Sequence, residues 1–78
     1  MDIQFGHERY RSEFFEDGKD GFAGLRLYRE CFGETSIAAE ITYWDATGGF
    51  TIKTIDGVVQ VEIIEALIAE TKQRISVK

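Results

Sequence analysis

A small α+β domain, four antiparallel strands followed by one C-terminal helix packed on one face, is the fold this sequence predicts. Three observations carry it. Apolar residues alternate at period two as far as Ile55, glycine-bearing turns interrupt them at regular intervals, and after Asp56-Gly57 the period lengthens to about 3.6 residues. The chain has 78 residues, so one domain spanning 1–78 is expected, with a core near the lower limit of independent folding.

The first predicted strand is Arg9 to Glu16, with Tyr10, Ser12 and Phe14 on one side. Asp17-Gly18-Lys19-Asp20-Gly21 is a strong hairpin signal. Phe22 to Phe32 forms the second strand, with Ala23, Leu25, Leu27 and Cys31 on one face and Phe22, Arg26, Tyr28 and Glu30 on the other. Gly33-Glu34-Thr35-Ser36 reads as a turn, and Ile37 to Trp44 as the third strand, with Ile37, Ala39, Ile41 and Tyr43 sharing a face. Asp45 to Gly49 closes another hairpin, and the β-branched stretch Phe50 to Ile55 is the fourth strand. Val61, Ile64, Leu67, Ile68, Thr71 and Ile75 then fall at helical spacing, the helix starting somewhere between residues 58 and 62. The expected core is Leu25, Leu27, Ile41, Ile52, Ile64, Leu67 and Ile68.

Composition narrows function. A lone cysteine excludes an internal disulfide and a cysteine-cluster zinc site, and a lone histidine excludes a multi-histidine centre. His7 has no partner base or ligand in reach by spacing, and Cys31 reads as a small apolar filler on the inward face. Asp17 and Asp20 lack the twelve-residue pattern of a calcium loop, and Asp45 and Asp56 fit turn and capping roles. No enzyme, metal or cofactor is expected. No apolar run approaches membrane-spanning length and no signal-peptide pattern opens the chain, so a cytoplasmic location without membrane partners is the expectation.

The net charge is −5, from nine basic and fourteen acidic residues. That balance opposes non-specific attraction to nucleic acid and anionic membranes. Alternation nevertheless places Arg9, Arg11, Glu13 and Phe15, then Phe22, Arg26, Tyr28 and Glu30, then Glu40, Thr42 and Trp44 on the face away from the helix. Two readings follow. Phe15, Phe22, Tyr28 and Trp44 form a protein-interaction patch, making the chain a non-catalytic binding module that acts as a homodimer. Alternatively, arginines interleaved with aromatics hold single-stranded nucleic acid, the bases stacking and the phosphates neutralised. An acidic surface of Glu34, Glu40, Asp45 and Asp56 would suit a basic protein partner.

Gln4-Phe5-Gly6, Arg9-Tyr10, Ser12 and Gly18-Lys19 resemble the first strand and turn of the positive-cofactor-four type of transcriptional coactivator, to which the Whirly group is related. Tyr43-Trp44, Gly57 and the amphipathic helix after it are similar to that family's third-strand-to-helix segment, with a strand-length insertion between the two halves. The resemblance implies curved antiparallel sheets, dimerisation through the helix and single-stranded DNA binding. It implies phosphate contacts from Arg9, Arg11, Lys19 and Arg26, and base stacking on Trp44. Where the family carries a basic glycine-rich loop before the last strand, this chain has Asp45 to Gly49, which holds no cation.

Overall fold

The computed structural model describes residues 1–19, 21–44, 46 and 48–75. Asp20 and Asp45, read above as turn residues, lie outside the described set. The architecture is α+β: an antiparallel sheet with one C-terminal helix. The sheet has five strands rather than four, β1 (Asp2–Phe5), β2 (Glu8–Asp17), β3 (Phe22–Cys31), β4 (Glu34–Trp44) and β5 (Gly49–Thr54), followed by α1 (Val61–Arg74). They form a meander in the order β1-β2-β3-β4-β5. Among the described residues no helix is long and apolar enough to cross a membrane.

The added strand is β1. Its four residues pair with β2, Ile3 opposite Tyr10 and Phe5 opposite Glu8. The connection is Gly6-His7, and Gly6 takes the positive φ that a two-residue hairpin loop requires at its first position. Four residues are too few to show a period, which is why alternation missed them. The turn expected at 33–36 is also tighter: Cys31 pairs with Glu34, so only Phe32 and Gly33 remain in the loop, both at positive φ. Such a loop matches the sheet twist, and it lets β4 begin at Glu34.

A bulge in β4 changes the facing of its first half. Leu27 lies opposite Ala39 but Tyr28 lies opposite Ile37, leaving Ala38 as the extra residue. Its carbonyl accepts the Ile55 N–H at 2.8 Å. Ile37, expected on the core face, is therefore displaced to Tyr28's side of the sheet. Ala38 and Ala39 are both fully buried.

The core on the covered face consists of Tyr10, Leu25, Leu27, Ala38, Ala39 and Ile41 beneath Ile63 and Leu67 of α1. Two expected members are missing from it. Ile52 is 48% exposed and Ile68 is 37% exposed. The helix buries Ile63, Leu67 and Thr71, a stripe rotated from the expected one, and its sheet contacts centre on β3 and β4. Consequently the covered-face side chains of β5 are left beyond its reach. Ile64 packs at the core margin.

Two polar clamps set the helix and the segment leading to it. Arg29, on the covered face opposite Tyr10, is 12% exposed and pairs with Glu8 at 3.1 Å. Its guanidinium lies over the Tyr10 ring and donates to the carbonyls of Asp56 and Val58. With Nε directed to Glu8, all three nitrogens are engaged, and these bonds tie the β5–α1 connection to the sheet. Further along, Glu70 accepts hydrogen bonds from the Ser12 hydroxyl at 2.6 Å and from the Met1 ammonium at 3.0 Å, and it pairs with Arg74 one turn on. Burial alone would raise the Glu70 carboxyl. The bonds from Ser12 and the Met1 ammonium, with the positive charge of that ammonium and of Arg74, hold it below its ordinary value of 4.5.

Leu67→Ala is expected to cost about 2–5 kcal/mol, since the side chain is wholly buried and its loss leaves a cavity. The midpoint of urea unfolding reads this directly, and Ile68→Ala should move it far less. A carboxyl held low in the folded state adds stability above its unfolded pKa and loses it as pH falls through the folded value. Stability should accordingly decline in acid below about pH 4.5, and Glu70→Gln should flatten that part of the profile measured by urea unfolding at stepped pH.

Candidate functional site

The face of the sheet away from α1 collects most of the residues singled out from sequence. Strand pairing arranges them in rows across the sheet. One row runs Glu13, Arg26, Glu40, Lys53, with signs alternating from strand to strand. Arg26 donates to Glu40 at 2.6 Å, and hydrogen bonds to Glu40 and then Tyr28 hold its guanidinium above the ordinary arginine range. Arg9 makes a two-pronged contact with Asp2, at 2.9 and 2.6 Å; this bond lowers the Asp2 carboxyl and raises Arg9. Arg11 pairs with Glu30 at 3.6 Å. Each arginine proposed for phosphate contact therefore already faces a carboxylate from a neighbouring strand. Lys19 sits apart in the β2–β3 turn, its N–H bonded to the Asp17 carboxylate.

Beside these pairs lies an aromatic cluster. Phe15 meets Phe22 edge to face at 6.1 Å, and Phe22 meets Trp44 at 4.9 Å. Arg26 lies over the Phe15 ring at 5.0 Å from its centre, a cation–π contact that joins the aromatic and charged parts of the face. Trp44 remains 39% exposed. Tyr28 is half-buried and lies opposite Ile37, which the β4 bulge has brought to this side.

Gly24 makes the cluster possible. It pairs with Phe15 on one side and Thr42 on the other. A Cβ at this position would stand 2.1 Å from the Ile41 carbonyl oxygen and 2.8 Å from Cζ of Phe15. The missing side chain lets the Phe15 ring lie over the strand, the way aromatic neighbours protect a glycine within a sheet.

The remaining candidates do not converge. His7 stacks on Phe32 at 5.6 Å at the hairpin end of the sheet, and Cys31 is a half-buried free thiol at the end of β3. Glu34 and Asp56 are exposed, on β4 and on the connection after β5 respectively; Asp45 lies outside the described residues. Among the described residues, no three His, Cys, Asp or Glu side chains gather as a metal would require.

Two structural features lie outside what alternation alone indicates. Arg29 shares parity with Leu25 and Leu27, and a cation on a core-facing position is itself the signal of a buried polar clamp. The second is an apolar groove between β5 and α1, lined by Ile41, Phe50, Ile52 and Ile68. Alternation placed its residues on the right face but could not show that the helix stops short of them.

Gly24→Ala is expected to destabilise the chain by at least about 1–3 kcal/mol, because the added methyl must displace backbone and ring together. Urea unfolding followed by Trp44 fluorescence gives the cost, and the native-state emission should change as the Phe15–Phe22–Trp44 stack loosens. Comparison of the chain with family models, curated proteins and solved structures gives no match.

Proposed function

We propose that this chain is a non-catalytic protein-interaction module that acts as a homodimer and presents Phe15, Phe22, Tyr28 and Trp44 of the open face to a protein partner. The observation that supports it is the aromatic cluster on a sheet face that no element among the described residues covers, set among ion pairs that are already closed within the face. A half-exposed aromatic cluster with little net charge around it is the composition of a protein–protein contact, where large rings supply area at low entropic cost.

The same ion pairs weigh against the single-stranded nucleic-acid reading. A phosphate backbone is held through cations that release counterions on binding. Here Arg9, Arg11 and Arg26 would have to give up Asp2, Glu30 and Glu40, in a chain of net charge −5.

Equilibrium sedimentation at tens of micromolar should return twice the 8.9 kDa chain mass. A labelled single-stranded oligonucleotide should show no anisotropy change at about 50 mM salt with protein up to about 100 µM, conditions that favour any phosphate-driven binding. A monomer mass removes the homodimer. Tight, salt-sensitive oligonucleotide binding that Trp44→Ala weakens replaces the protein-contact reading with the nucleic-acid one.

A further inference from the structure

We infer that the homodimer seam is the free edge of β5, two copies joining antiparallel about Ile52 so that their sheets run on as one, with the groove beside α1 closed by the partner. This rests on the self-association proposed above and names its surface, leaving the open-face aromatics for another protein.

The edge comes first. Ile55 donates its N–H to Ala38 across the β4–β5 ladder. Backbone direction alternates along a strand, so Lys53 and Thr51 also bond towards β4, while Phe50, Ile52 and Thr54 turn their N–H and C=O groups outward. A row of such groups at two-residue spacing is matched by another strand. Of the usual protections β5 carries only one charge, Lys53, with no proline and no bulge. The opposite edge, β1, is short and its first residue is held in the Arg9–Asp2 pair.

The groove comes second. It opens beside that edge with a volume of about 170 Å³, well below the roughly 300–1,000 Å³ of small-molecule sites. It is sized for side chains. Ile52 and Ile68 stand beside it at 48% and 37% exposure, an apolar surface with Lys72 at its rim.

Charge selects the occupant. The chain has a net charge of −5, so two copies repel least where neither presents a carboxylate. β5 has none, and its Lys53 is already opposite Glu40 of its own β4. Pairing centred on Ile52 sets Ile52 against Ile52 of the second copy, Phe50 against Thr54 and Thr51 against Lys53. No like charges stand directly opposite, the two Lys53 being diagonal neighbours each set against Glu40 of its own β4; apolar and β-branched side chains face each other, and every outward backbone group of β5 is bonded. Shifting the register by two residues leaves either Thr54 or Phe50 without a partner in β5. The two-fold axis also brings both helices to the same side of the joined sheet, where each Ile68 helps to close the groove of the other copy.

The test combines sedimentation with cross-linking on the full chain. Residues directly opposite in a hydrogen-bonded antiparallel pair have Cα atoms about 5.5 Å apart, within the roughly 4.4–6.8 Å that a disulfide spans. With Cys31→Ala as background, Ile52→Cys should form a covalent dimer on mild oxidation, and Glu13→Cys, on β2 of the open face, should not. Ile68→Glu, at a partly exposed helix position, should keep the circular-dichroism spectrum and unfolding midpoint close to wild type while weakening self-association at least about tenfold. A wild-type dimer that gives no Ile52→Cys cross-link and is unaffected by Ile68→Glu overturns the seam and leaves the homodimer standing elsewhere on the molecule. A monomeric wild type overturns both.

Discussion

A fourteen-residue helix has to cover a five-stranded sheet, and the mismatch between the two shapes organises the rest of the molecule. The helix is about 21 Å long and about 10 Å across, whereas five strands at about 4.8 Å spacing reach about 19 Å from edge to edge. One helix can shelter roughly the middle of such a sheet. Here it sits over β3 and β4, reaching β2 through the Glu70–Ser12 bond. Leu25, Leu27, Ala39 and Ile41 are sealed, and Phe50 and Ile52 are left at the margin.

The polar groups hold that position. Arg29 grips the carbonyls of the connection after β5 while its own charge is met by Glu8. Glu70 anchors the far end of the helix to β2 and to the Met1 ammonium. A half-buried charge with several hydrogen-bond partners is costly to displace, because any other helix placement leaves it desolvated and unpaired. Apolar burial draws the helix to the sheet, and these clamps restrict where along the sheet it can lie.

On the open face the constraint is different. With no helix above it, every side chain there must be stable against water or against a partner. The charged residues settle the matter among themselves, in cross-strand pairs with alternating sign, and the aromatics settle it in part by stacking along Phe15, Phe22 and Trp44. The open face is thus close to electrically neutral while the chain as a whole is acidic. A face so balanced does not project the positive field that attracts a phosphate backbone.

Much of this was legible in the residues. Period-two alternation from Tyr10 to Tyr43, the Asp-Gly turn and the change of period after Gly57 are local consequences of backbone geometry, and they determined the meander, the helix and the side of the sheet on which Arg26, Tyr28 and Trp44 project. Leu67 was identifiable as core because a helix can bury only one stripe. What the tertiary structure decided depends on distances between segments remote in sequence. The Asp2–Phe5 strand exists because β2 offers it an edge, not because four residues declare a period. Ile37 changed sides because Ala38 bulges, and a bulge is set by how β4 must meet both β3 and β5. Ile52 and Ile68 read as core from pattern alone, yet their exposure follows from the finite width of one helix. Likewise, sequence could place arginines and carboxylates on a common face, but only the strand register could bring Arg26 to Glu40 and Arg9 to Asp2. Ion pairing acts over a few ångströms, and those ångströms are fixed by pairing across strands rather than along one.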